Sequence, residues 1–178
     1  MIGRAAIRRS VLAGACLALL AHPAMAAADC RSEISAAARR HGVPESVALA
    51  VGKVESSHHP LAMNIAGWPA RARSAPDGVI AVRKLNSAGI RSIDVGCMQI
   101  NLKHHPAAFA SLDDAFDPAA NAEYGVSFLK RLYQEKRSWG RAIAAYHSGD
   151  PAEQSLYLRL IRDSLVRLPP EVRTASRD

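Results

Sequence analysis

Residues 58–101, broken by Pro60, Gly67, Pro69, Pro76, Gly78, Gly89 and Gly96, separate two blocks of helical periodicity. Proline removes a backbone donor and glycine loosens the chain, so a stretch punctuated this often cannot continue a helix. The chain must therefore fold as helices around one irregular segment. Ahead of that segment the pattern predicts a helix over residues 31–40, stopped at Gly42, and a second from Pro44 to Glu55 or Ser56. Inside it, residues 79–85 read as a short helix, and residues 62–65 and 92–94 as extended chain. After it, Asp117-Pro118 reads as an N-cap and first-turn proline opening a helix to Lys136. Two more helices are expected, over 139–148 ending at Gly149, and over 151–167 stopped by Pro169-Pro170. The expected fold class is mainly α, a single helical domain with a small irregular or β segment.

The two ends stand apart from this pattern. Arg4, Arg8 and Arg9 precede an apolar run over residues 11–21, followed by His22-Pro23 and the small-x-small sequence Ala24-Met25-Ala26. That order is the signature of a cleaved export signal, and eleven apolar residues are too few for a membrane span, which needs about 20. Residues 1–26 are thus expected to be removed, 27–168 to fold, and 169–178 to form a flexible tail. Removal takes away three basic residues and no acidic one, which lowers the net charge from +7 to +4. A modest positive balance suits work beside an anionic polymer, but no basic stretch is interleaved with aromatics, which argues against nucleic acid. Mean hydropathy of −0.04 and 22% charged residues exclude a multi-span membrane protein and a disordered chain. Export leaves Cys30 and Cys97 in an oxidising compartment, where they can pair. A small buried thiol at Cys97 is the equal alternative.

Three short motifs carry the chemistry. On a helical wheel Val47, Val51 and Val54 fall within about 60° of one another, and Glu55 projects at the edge of that stripe. A carboxyl at the rim of an apolar face is partly desolvated, which raises its pKa toward what a general acid at neutral pH requires. Asp94-Val95-Gly96-Cys97-Met98-Gln99-Ile100-Asn101 follows, with Gln99 and Asn101 alternating against Met98 and Ile100 as on an extended segment. Amide side chains suit sugar hydroxyl and acetamido groups, because each offers donors and an acceptor. In Ala145-Tyr146-His147-Ser148-Gly149, the tyrosine is either a core aromatic with a wet hydroxyl or a group aimed at the carboxyl or the sugar.

In this order, Glu55-Ser56, Gly96-Cys97-Met98-Gln99-Ile100-Asn101 and Ala145-Tyr146-His147-Ser148-Gly149 resemble the soluble lytic transglycosylase (SLT) domain. The small specialised enzymes that accompany secretion systems, pili and flagella are the most similar. The resemblance implies a lysozyme-like fold with a glycan groove, a periplasmic location, and peptidoglycan glycan strands as substrate. It implies cleavage of the β-1,4 bond between MurNAc and GlcNAc with formation of a 1,6-anhydro ring, by a monomer that needs no cofactor. By position Glu55 is the catalytic acid/base, with Ser56, Met98, Gln99, Asn101, Tyr146 and His147 as substrate contacts. There are departures. Cys97 stands where leucine is usual, His147-Ser148 where Asn-Ala is usual, and the cysteine that often follows Asp-Pro in secreted relatives is replaced by Ala119. Any disulfide must therefore use Cys97. Residues 67–89 are longer than in the plainest members.

Two rival functions keep the same residues in play. A hydrolytic lysozyme needs a second carboxylate, and Asp94 is the candidate because it precedes the groove motif. A non-catalytic peptidoglycan-binding scaffold would have no use for a half-buried acid. His58-His59 and His104-His105 lack chelating spacing, and no metal is assigned.

Overall fold

The computed structural model describes residues 29–168; the expected signal peptide and the tail from residue 169 lie outside the described residues. Seven helices and a four-stranded antiparallel sheet make up this part: α1 (Cys30–His41), α2 (Glu45–Ser56), β1 (Ala62–Ile65), β2 (Trp68–Arg71), α3 (Ala75–Ser87), β3 (Ile93–Val95), β4 (Ile100–Asn101), α4 (Leu112–Phe116), α5 (Pro118–Lys136), α6 (Trp139–His147) and α7 (Pro151–Arg167). The strand order is β2-β1-β3-β4. The fold class is thus mainly α with a small sheet, as the sequence predicts.

Local chemistry explains most of the boundaries. Gly42 adopts φ 60° and ends α1 in a left-handed cap, and Asp117 accepts the Ala120 N–H at 2.8 Å to open α5. Asp150 caps α7 through the Ala152 and Glu153 N–H groups. Three elements depart from the sequence reading. Helix α3 runs from 75 to 87 rather than 79 to 85, because the Ser74 side chain caps it one turn earlier. Strand β2 contains Pro69, which reads as a breaker but is tolerated because β2 is the sheet edge. Short α4 is held by a capping box between Ser111 and Asp114.

The glycine-amide motif is a further correction. Residues 96–99 form a tight turn between β3 and β4, not an extended segment, and only Ile100 and Asn101 are strand. Gly96 at φ 82° and Gln99 at φ 46° supply the left-handed backbone that the turn needs. A side chain on Gly96 would also collide with Asn121.

That turn is fastened on every side. The fully buried Asn121 of α5 accepts the Met98 N–H at 2.8 Å and donates to the carbonyls of Val95 and Ala115. Ser56 Oγ donates to the Cys97 carbonyl at 2.7 Å, and the Tyr146 hydroxyl to that of Met98 at 2.8 Å. A disulfide joins Cys30 of α1 to Cys97, which settles the two readings of that cysteine. Met98 itself is fully buried in the larger of two core clusters, beside Gly125, where any side chain would strike it. The smaller cluster joins the sheet to α3 and α4 through Met63, Val79, Val82, Ile93 and Phe116.

Two stability outcomes follow. Asn121→Ala strands three buried backbone groups at about 1–3 kcal/mol each, so urea denaturation should show a loss of roughly 3 kcal/mol or more. A loss below about 1 kcal/mol would show that the clamp is dispensable. Reducing the disulfide frees a loop of sequence separation 67 and should cost about 2–4 kcal/mol in the same assay.

Candidate active site

Helix α2 delivers Glu55 to its last turn, where the chain would otherwise be free to fray. It is not free here. The Ser57 and His58 N–H groups bond back to the carbonyls of Lys53 and Gly52, and the His58 ring donates to the Leu49 carbonyl at 2.9 Å. Ser56 ties the helix end to the turn at Cys97. Glu55 therefore stands on a fixed support and lines a cleft of about 980 Å³.

The sheet makes one wall of that cleft. Register places Asn64, Asp94 and Asn101 side by side on three strands, and all three line the cleft. Helices α6 and α7 line it with Tyr146, His147, Leu156, Tyr157 and Leu160, and His104, His105 and Phe128 line it as well.

Glu55 is only 13% exposed at its side chain, and Oε1 accepts the Tyr157 hydroxyl at 2.6 Å. Burial pushes its carboxyl from the ordinary 4.5 up to about 7; the Tyr157 hydrogen bond opposes this and the Asp94 charge adds to it. Burial and the Glu55 charge hold both Tyr146 and Tyr157 well above the usual phenol value, so both stay neutral donors. Burial also raises Asp94, against the pull of the Asn101 amide, which donates to Asp94 Oδ1 at 2.7 Å. The arrangement presents one protonatable carboxyl near neutrality, as general acid/base chemistry requires.

The site residues expected from sequence divide into two groups. Glu55, Gln99, Asn101, Tyr146 and His147 all reach the cleft. Ser56 and Met98 do not line it: the first is 7% exposed and spends its hydroxyl on the turn, the second lies in the core. Even within the cleft, roles differ from the expected ones. Both Asn101 amide ends are occupied, by Asp94 and Ser92 on one side and the Lys103 and His104 N–H groups on the other. The Gln99 amide donates to the carbonyls of Ala62 and Gly96, which leaves its oxygen for a ligand.

The hydroxyl on Glu55 comes from Tyr157, not from Tyr146, and sequence reasoning missed it. Its one signal was weak: Tyr157 and Ile161 share the inner face of α7, four residues apart. Among the described residues no group of three or more His, Cys, Asp or Glu could hold a metal ion, and no helix is long and apolar enough to cross a membrane.

The raised Glu55 carboxyl makes stability depend on pH with a definite sign. Between pH 4.5 and about 7 the folded protein keeps a proton that the unfolded chain releases, so stability falls as pH rises through that window. Glu55→Gln removes this penalty. The variant should match the wild type below pH 4.5 and exceed it by about 3 kcal/mol above pH 7. A difference that stays constant with pH in denaturant titrations would contradict the buried acid.

Comparison with known proteins adds the lineage. The family model described as Transglycosylase SLT domain matches residues 32–156, which include Glu55 and the fastened turn at residues 96–99 but stop one residue short of Tyr157. Protein virB1 of Agrobacterium fabrum is 27% identical over 151 residues, covering 76% of this chain and 60% of that protein. The chain thus spans about three fifths of the length of the curated relative it matches. No solved structure gives a significant match. With the larger part of its length matched by that model, the chain belongs to the transglycosylase SLT domain family.

Proposed function

We propose that the protein is a peptidoglycan lytic transglycosylase, exported to the periplasm, that opens local gaps in the wall for an envelope-spanning machine such as a secretion system. The observation that carries this reading is the buried carboxyl of Glu55, held near neutrality in a cleft of about 980 Å³. Membership of the SLT family and the likeness to Protein virB1 support it.

In this reading one carboxyl serves both proton transfers. Protonated Glu55 gives its proton to the oxygen between MurNAc and GlcNAc, and the bond from that oxygen to the anomeric carbon breaks. GlcNAc leaves with the proton. The resulting carboxylate then takes the proton of the MurNAc C6 hydroxyl, whose oxygen bonds to the anomeric carbon and closes the 1,6-anhydro ring. Glu55 ends protonated, and no water is consumed. An intramolecular nucleophile has a large advantage over solvent, with effective molarities up to about 10⁵–10⁸ M when well oriented.

One observation favours a second reading. Asp94 lines the same cleft, and its charge acts on Glu55, so a hydrolytic lysozyme with both carboxyls is the rival. A non-catalytic scaffold is disfavoured, because burying an acid at energetic cost serves no binding role.

Product analysis decides among them. Purified protein incubated with sacculi should release muropeptides with 1,6-anhydro ends, read by mass spectrometry; reducing ends would support hydrolysis, and binding without soluble product would support the scaffold. Glu55→Gln should lower turnover by about 10²–10⁴-fold. The rate should fall as pH rises through about 7, since the first step uses the protonated acid.

A further inference from the structure

The two oxygens of Glu55 have unlike surroundings. Oε1 accepts the Tyr157 hydroxyl and lies 3.9 Å from Nδ1 of His147. Oε2 has no hydrogen-bond partner among the described residues, and is left for the substrate. The His147 ring stacks on that of Tyr157, with centroids 4.3 Å apart and planes 3° from parallel, so the two groups approach Oε1 as one unit.

The link between α6 and α7 holds this unit in place. Ser148 Oγ accepts the Asp150 N–H at 3.0 Å, and the Gln154 amide donates to the Ser148 carbonyl at 2.8 Å. His147, the last residue of α6, therefore cannot swing away without loosening the start of α7. Tyr146 on α6, Asp94 on β3, His104 after β4 and Glu153 on α7 also line the cleft, but none has a hydrogen bond or ion pair to Glu55. Among the described residues His147 is the one basic side chain within ion-pair distance of this carboxyl.

A separation of 3.9 Å is too long for a hydrogen bond, and a closing of about 1 Å would make one. The protonated acid gains little from that movement. The carboxylate gains a charge-assisted bond, roughly twice as strong as a neutral one. We propose that His147 is a positioning residue for Glu55: its Nδ1–H closes onto Oε1 beside the Tyr157 hydroxyl when the carboxyl ionises, so that Oε2 alone exchanges protons with the substrate. This rests on the acid/base role of Glu55 given above. An interaction present in the ionised state and absent from the protonated one makes Glu55 a stronger acid midway through the reaction.

The test uses His147→Leu, which removes the donor, and His147→Asn, which keeps an N–H; His147→Ala replaces the first if leucine perturbs the circular dichroism spectrum. Two readouts are taken: kcat and KM on peptidoglycan across pH, and the ligand-free titration of the Glu55 carboxyl carbon by ¹³C NMR. His147→Leu should move the Glu55 midpoint upward by about one pH unit. It should lower kcat on the low-pH plateau, where the acid is fully protonated, by up to about tenfold with KM unchanged, and move the fall of rate with pH upward by the same unit, in line with a weaker acid. His147→Asn should recover most of both. An unmoved Glu55 midpoint in His147→Leu overturns the proposal, whatever happens to KM, and a raised KM alone would make His147 a sugar contact. If the wild type cleaves nothing, the transglycosylase reading fails, while the carboxyl titration still decides the role of His147.

Discussion

The hydrogen bonds by which Asn121 joins the turn at residues 96–99 to β3 and α4 hold the rest of the structure in register. One side chain, fully buried in α5, satisfies the Met98 N–H and the carbonyls of Val95 and Ala115 at once. Buried backbone groups without partners are costly, so the turn can be buried only where such a clamp exists. Once fixed, the same four residues become an anchor for everything around them. The disulfide draws α1 to the turn, Ser56 fastens the end of α2, and the Tyr146 hydroxyl brings in α6. Gly125 lets α5 come close enough for all of this to pack.

Catalytic geometry is a by-product of that anchoring. Glu55 precedes Ser56, so the bond that fixes the turn also fixes the carboxyl, and the strand after the turn carries Asn101, which orients Asp94 in the same cleft. Helix α7, which supplies Tyr157, is tied independently through its capped start. Glu55 is largely buried among these elements, and desolvation dominates its protonation. A carboxyl that must first give and then take a proton works best with a pKa near the working pH, and burial rather than a second carboxylate supplies most of that shift.

Much of this was legible in the sequence. Gly42, Asp117-Pro118 and Pro151 mark helix ends because caps act through neighbouring atoms, and such chemistry is local. The burial of Glu55 at the rim of an apolar stripe was legible from helical spacing, and the three motifs in order singled it out. The face that each motif residue presents was not legible. Alternation holds on a strand, but the left-handed backbone at Gln99 turns residues 96–99 into a knot that sends Met98 inward. Ser56 likewise reads as a cleft hydroxyl until the Cys97 carbonyl is seen beside it. Tyr157 and Asn121 were missed for a common reason. The partner of Tyr157 lies 102 residues away on α2, Met98 and Val95 lie 23 and 26 residues from Asn121, and nothing in the local pattern points across such distances. Pro69 misled in the opposite sense, since only topology shows that its strand is an edge.

The central claim is that the fastened turn keeps a single carboxyl dry enough to stay protonated near neutral pH. Its most direct test is an infrared titration of the ligand-free protein, with Glu55→Gln subtracted to isolate that one group. The account predicts a protonated-carboxyl band that persists through mildly acidic conditions and is lost with a midpoint of about 7. A band lost at the 4.5 of an ordinary glutamate would mean that the carboxyl is solvated, and the account would be contradicted.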